Sequence, residues 1–208
     1  MPTGRSTPLP TDLIAIVDTA TASAYTRGGA HLACHPGCTQ CCHGVFPISQ
    51  QDAARLREAL TDLERDDVDR AARIRKRVAD SLERIAPLFP GDLATGVLSP
   101  DYEDAPLFAD EDSIGDNEPC PVLDPTTGTC DLYAARPIVC RTFGPPMRTA
   151  DGDLATCELC FITASTEEIA AAELDPGIPA QEAASNEAFN QAHHVHGETI
   201  VALALSRY

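Results

Sequence analysis

The chain has 208 residues and a formal net charge of −17, from 32 acidic and 15 basic residues. A field of that sign repels phosphate backbones and anionic membrane surfaces, so it argues against a nucleic-acid or membrane-surface partner. The length suffices for one ordinary core, and a single domain over residues 1–208 is expected without disulfide staples.

Residues 1–10 are polar, contain proline, and read as loose. Thr11 can cap a helix beginning at Asp12. Leu13, Val17, Ala20 and Ala24 would share one face, and Gly28-Gly29 would stop the helix. A cysteine-rich loop follows, with Pro36 and Gly37 at its bend. Ser49 with Asp52 opens the next helix, whose stripe is Ala53, Leu56, Leu60 and Leu63. A break near Arg65-Asp66-Asp67 starts another, with Ala71, Ile74, Val78, Leu82 and Ile85 on one face and Pro87 at its end. The pair reads as an antiparallel hairpin or one bent helix. The basic run 73–77 reads as a solvated helix face.

Residues 87–119 lose periodicity and form a long acidic loop, either mobile or a cover over the cysteine region. Asp124-Pro125-Thr126-Thr127-Gly128 is a turn signal, and a hairpin around it would bring Cys120 and Cys130 together. Asp131 can cap a short turn through Leu132, Tyr133 and Ala134 that ends before Pro137. Ser165 and Glu168 make a capping box for a helix through Ala170, Ala171 and Leu174. Asp175-Pro176-Gly177 interrupts, and a last helical stretch from 180 to 206 is expected to break at Gly197. Strand signals are few. The expected class is mainly α, a small helical fold with cysteine-rich metal-binding loops.

Nine cysteines carry the functional signal: Cys34, Cys38, Cys41, Cys42, Cys120, Cys130, Cys140, Cys157 and Cys160. The start, Met1-Pro2-Thr3-Gly4-Arg5, does not read as a signal peptide, and no stretch approaches the roughly 18 apolar residues of a membrane span. The cytosol is therefore expected, where clustered thiols point to metal or catalysis. Thiolates suit zinc, iron–sulfur clusters or copper(I). The pairs Cys38/Cys41 and Cys157/Cys160 have the two-residue gap that lets both sulfurs reach one metal, and together they could close a Cys₄ site with zinc as the default. The same spacing suits iron–sulfur. Adjacent side chains diverge, so Cys41 and Cys42 are expected to serve different ligand sets, one with Cys38 and the other with Cys120, Cys130 or Cys140. Two neighbouring sites or one polynuclear cluster would result. The alternative for any one cysteine is a small buried hydrophobe.

Cys34-xxx-Cys38-xx-Cys41-Cys42, then Cys120-Pro121, Cys130-Asp131-Leu132-Tyr133, Arg136-Pro137-xx-Cys140-Arg141-x-Phe143 and Cys157-xx-Cys160 together resemble the YkgJ family, the CxxCxxCC zinc- or iron-chelating domain. The resemblance covers residues 31–161. The three-residue gap between Cys34 and Cys38 is one departure. Similar clusters occur in flagellin lysine methylases, which resemble this chain in that region alone. The resemblance implies metal or iron–sulfur binding and no settled reaction.

Arg136 and Arg141 flank Cys140 and could offset sulfur charge or donate hydrogen bonds to it; a surface ion pair is the alternative. Tyr133 and Phe143 would shield the site from water. His31, His35 and His43 near the first loop could ligate or tune metal, and His193 and His196 would share a helix face, but an exposed role is favoured for all five. Three functions compete. The first is a non-catalytic metal-binding protein. The second is an iron–sulfur redox protein, alone or with a protein partner. The third, ranked last, is an enzyme, by analogy with the flagellin methylases, or the accessory of one, in which the cluster supports modification of another protein. No phosphate loop, nucleophile elbow or HExxH motif is present.

Overall fold

The computed structural model describes residues 11–108, 114–149 and 151–206, with 11, 12 and 114 as backbone only. The expectations for residues 1–10 and for the Thr11 cap lie outside the described residues and side chains. Among the described residues the chain is mainly α. In order it forms α1 (Thr11–Gly28), β1 (Pro47–Ser49), α2 (Gln50–Asp66), α3 (Val68–Ile85), β2 (Gly91–Asp92), β3 (Val97–Leu98), α4 (Ile114–Asn117), β4 (Leu123–Asp124) and β5 (Thr129–Cys130). It continues with α5 (Ile138–Thr142), β6 (Met147–Arg148), β7 (Leu154–Ala155), α6 (Thr166–Ala171), α7 (Ile178–His193), β8 (Glu198–Ile200) and α8 (Val201–Ser206). The strands form four antiparallel pairs: β1–β8, β2–β3, β4–β5 and β6–β7. The chain divides into two compact units, residues 1–33 with 141–188, and residues 34–140 with 189–208.

The second unit is built on a helical hairpin. The Ser49 hydroxyl accepts the Asp52 N–H and starts α2; Asp67 accepts the Arg70 N–H and starts α3. One residue separates the helices, and Arg75 donates twice to Glu64 across the turn, at 2.9 and 2.7 Å. Ala53, Leu56 and Leu60 meet Ala71, Ile74 and Val78 in one buried cluster, closed by Val201, Ala204 and Leu205 of α8. Leu63 and Leu82 pack at its edge. Each fully buried leucine here contributes about 1.5–3 kcal/mol. The hairpin, not the single bent helix, is what forms.

Two expectations change in this unit. Residues 87–108 pack into the core, with Phe89, Leu98 and Leu107 buried in a second cluster with Ile85, Ile200, Ala202 and Leu203, while residues 109–113 of the expected loop lie outside the described residues. Burial there has no period, because the β2–β3 ribbon and a 3₁₀ turn at Tyr102–Asp104 place single side chains one at a time. The terminal helical stretch is also two helices with a strand between them. Gly197 (φ 68°) turns the chain, and a Cβ there would lie 2.6 Å from Val97 Cγ1. α7 already ends at His193, before the expected break at Gly197, and beyond Gly197 the chain extends as β8 against β1, with Pro47 opposite Ile200 and Ser49 opposite Glu198.

In the first unit, α1 buries Leu13, Val17 and Ala24, with Ala20 only partly covered. Cys157, Cys160, Phe161, Ala172, Leu174 and Ile178 are buried there too. The Ser165/Glu168 capping box is present at α6. Arg27 closes the other end of that helix, donating to the carbonyls of Ala171 (2.8 Å) and Glu173 (2.5 Å) that lack helical partners. Asp175 accepts the Gly177 N–H at 2.8 Å in the turn before α7.

Candidate metal centre

Seven cysteines, Cys34, Cys38, Cys41, Cys42, Cys120, Cys130 and Cys140, belong to the second unit, and Cys157 and Cys160 to the first. All nine are free thiols. The two CxxC pairs therefore lie in different units.

The first loop is folded by its own backbone. Cys38 N–H donates to His35 O (2.9 Å) and Cys42 N–H to Thr39 O (2.8 Å). Its exit is zipped to the segment before Cys120. Cys120 N–H donates to Cys42 O (2.8 Å), Gly44 N–H donates to Glu118 O (3.0 Å), and His43 bridges Pro119. The β4–β5 hairpin closes through Gly128 N–H to Asp124 O (2.9 Å). Gly128 has φ 66°, and a Cβ there would stand 3.4 Å from the Gly37 backbone, so its turn rests on the bend of the first loop. Leu123 pairs with Cys130 and its N–H donates to Cys120 O at 2.9 Å. Cys120 and Cys130 are thus brought together, as the turn signal implied, and both pack against the hairpin core. Cys140 rides on α5, its N–H donating to Pro137 O at 3.1 Å.

Four of these thiols, Cys41, Cys120, Cys130 and Cys140, lie within reach of one another's charge. Burial pushes the Cys120 thiol up to about 12, with Cys130 and Cys41 adding to it. Burial likewise raises Cys130 and Cys140, the latter further through Cys120, Cys41 and Cys130. Cys41 is raised first by its hydrogen bond with Cys42 and then by burial. The divergence expected of that adjacent pair is not found, because the 3₁₀ turn at Gln40–Cys42 lets the two thiols meet. Opposing contributions favour thiolate. The N–H of Val122 reaches Cys120 and that of Leu132 reaches Cys130. Arg136 acts on Cys41, Cys130 and Cys140, and Arg77 on Cys120. The donor set is soft and enclosed, the chemistry that suits zinc or iron. Among the described residues, no three His, Cys, Asp or Glu side chains converge tightly enough to enclose an ion as they stand.

In the first unit, Cys160 N–H donates to Cys157 O (2.8 Å), and Ala33 N–H donates to Cys160 Sγ at 3.4 Å. Phe161 takes left-handed backbone (φ 57°), its N–H donating to His31 O at 2.7 Å. The His31 ring stacks on Phe161 and lies 3.5 Å from Glu168. His35 Nδ1 meets Pro36 O, and His193 stacks on Phe189.

The flanking residues separate. Arg136 lies over the Tyr133 ring at 3.9 Å and donates to Tyr133 O. Arg141 is buried and donates to both carboxylate oxygens of Asp18, at 2.8 and 2.9 Å. Tyr133 and Phe143 are exposed, at 62% and 39%, so neither acts as the expected shield. Tyr133 serves as a platform for Arg136 instead. Asp131 does not cap the turn at Tyr133–Ala135, which has no side-chain cap. Its carboxylate is taken by Arg70 (2.6 Å) and Arg77 (2.5 Å).

Sequence reasoning missed a set of buried acids. Asp52, Glu118 and Asp131 are the buried carboxylates among the described residues, and each holds a segment next to a cysteine. Glu118 takes Arg84 at 2.9 and 2.7 Å, two residues before Cys120. Asp52 takes Arg55 and also accepts the N–H of Ile138, which opens the helix of Cys140, at 3.3 Å. The available signal was the recurrence of Arg70, Arg77 and Arg84 at every seventh position of α3, which puts them along one helix face.

No helix among the described residues is long and apolar enough to cross a membrane. No curated protein and no solved structure matches the chain. A family model, described as "Putative zinc- or iron-chelating domain", matches residues 33–160. Those residues hold all nine cysteines, and the chain belongs to the CxxCxxCC family.

Proposed function

We propose that this chain is a non-catalytic metal-binding protein whose Cys41, Cys120, Cys130 and Cys140 bind one zinc ion as a Cys₄ centre. The observation that carries this reading is the joining of three cysteine segments by backbone hydrogen bonds, Cys120 N–H to Cys42 O and Leu123 N–H, opposite Cys130, to Cys120 O, with the charges of Cys41, Cys120 and Cys130 also felt at Cys140 on α5. Burial keeps these thiols neutral in the bare protein. A dication converts them to thiolates and satisfies them together. Arg136 and Arg77 offset part of the remaining negative charge. A metal there would tie the first loop, the β4–β5 hairpin and α5 to one point, which is a structural role.

A second reading has one observation in its favour. Cys34, Cys38 and Cys42 are further thiols of the same unit, more than one zinc needs, and they would suit an iron–sulfur cluster serving redox chemistry with a protein partner. Metal analysis and a visible spectrum of protein purified without oxygen decide the matter. One zinc per chain and no colour is expected. Iron with sulfide and broad visible absorption would replace this reading with the second. Protein that neither retains nor takes up either metal would sink both.

A further inference from the structure

We propose that Asp52, Glu118 and Asp131 are positioning residues: buried carboxylates, held by arginines of the α2–α3 hairpin, that fix the segments of Cys120, Cys130 and Cys140 before metal arrives. The proposal rests on the reading of those cysteines, with Cys41, as the metal centre.

A buried carboxylate is costly unless paired, and a well-packed apolar residue would often stabilise as well or better. Bulk stability therefore does not account for three of them. Each one lies against a cysteine-bearing segment. Asp131 follows Cys130 directly, Glu118 precedes Cys120 by two residues, and Asp52 reaches the first turn of the helix that carries Cys140.

Arg77 does the most. Its Nε donates to Pro121 O at 2.8 Å, while another nitrogen donates to Asp131 at 2.5 Å. One rigid planar fork thus ties the residue after Cys120 to the residue after Cys130. Arg70 adds a second grip, on both the carboxylate (2.6 Å) and the carbonyl (2.9 Å) of Asp131. Arg84 holds Glu118 through two bonds. The three arginines stand seven residues apart on α3, so a stiff helix sets the spacing of the gripped points. Ligands held on rigid elements lose less freedom when metal binds, and that appears as affinity.

The same helix supplies a control. Arg75 grips Glu64 (2.7 Å) and the Leu205 carbonyl (2.7 Å), and those contacts involve no cysteine segment. Zn²⁺ affinity would be measured against a competing chelator for wild type, Asp131→Asn, Arg77→Gln, Arg77→Lys, Arg75→Gln and Cys120→Ser. The visible bands of bound Co²⁺ report the ligand geometry, and thermal melting runs alongside. Asp131→Asn and Arg77→Gln are expected to weaken zinc about 10–100-fold and shift the Co²⁺ bands. Arg77→Lys, which keeps the charge but cannot span both acceptors, should fall short of wild type. Arg75→Gln should melt earlier and bind zinc as wild type does. If Asp131→Asn does not fold, the two Arg77 variants carry the test. Wild-type affinity in the Arg77 variants, or equal weakening in Arg75→Gln, overturns the proposal. If Cys120→Ser also keeps wild-type zinc, the metal-site reading itself falls and takes this proposal with it.

Discussion

The helical hairpin and the cysteine segments of the second unit are held by opposite means. Between α2 and α3, apolar side chains at helical spacing meet in a cluster that excludes water, and side-chain caps from Ser49 and Asp67 serve the first N–H groups of the two helices. From Glu118 to Cys140 the regular elements are two to five residues long; Val122 and Leu132 anchor the segment in the hairpin cluster, and the rest is fixed by turns, arginine–carboxylate pairs and paired loops. A dry apolar cluster is stable with nothing added. A set of enclosed neutral thiols packs as small apolar groups, and binding of an ion would tie their segments to one point. The comparison predicts that the two regions fail separately.

Metal removal is the largest test. Structural zinc sites contribute apparent binding energies on the order of 10 kcal/mol at neutral pH. A strong chelator is expected to lower the melting temperature and to speed amide exchange in residues 34–46 and 118–142, with α2 and α3 still protected. Uniform loss of protection would show one cooperative region, and an unmoved melting curve would end the structural role of the metal. The converse change is Leu60→Ala. Leu60 is fully buried in the hairpin cluster, and its truncation should cost about 2–5 kcal/mol while zinc affinity stays the same. A parallel fall in affinity would mean that the core and the site are a single structure.

The pH dependence is a smaller effect. Burial raises the Cys120, Cys130 and Cys140 thiols above the ordinary value of about 8.5. The unfolded chain then ionises first. The stability linked to the neutral thiols is present below about pH 8.5 and is lost as pH rises through the higher folded values. Metal-free protein should therefore weaken in alkali, and loaded protein, whose thiolates are already bound, should not. Zinc uptake should release protons and strengthen with pH. Metal-free protein equally stable at pH 7 and pH 10 would contradict this.

Legibility followed the same division. The hairpin could be read because Leu56, Leu60, Ile74 and Val78 repeat at the helical period, and Ser49 with Asp52 marks its start. The β4–β5 turn could be read from Asp124 to Gly128, because left-handed backbone at its end calls for glycine. Period says nothing of Phe89, Leu98 and Leu107, which are buried one by one. It is equally silent about β8, whose pairing partner β1 lies far away in the chain. Asp131 was misassigned because a carboxylate before a short turn suits a cap as well as it suits two arginines, and the arginines sit on a helix about sixty residues earlier. Spacing singles out the pairs Cys38/Cys41 and Cys157/Cys160, which the fold assigns to different units. Which thiols share an environment depends on the fold.

The finest distinction lies between the two arginines beside Cys140. Arg136 acts on Cys41, Cys130 and Cys140, yet it is half-buried and stacked on an exposed tyrosine, so solvent screens much of its charge. Arg141 is buried and engages Asp18 of α1. Arg136→Gln is expected to weaken zinc by a few-fold at low salt, and the gap from wild type should narrow as salt rises. Arg141→Gln is expected to leave zinc retention unchanged and to cost about 1 kcal/mol of stability, a modest figure because the Asp18 carboxylate left behind is half-exposed and water can reach it. Chelator competition at two salt concentrations, with melting curves for both variants, separates these roles. A salt-independent loss in Arg136→Gln would mean that its guanidinium holds the loop by directed hydrogen bonds rather than by charge. A larger zinc defect in Arg141→Gln than in Arg136→Gln would exchange the two assignments.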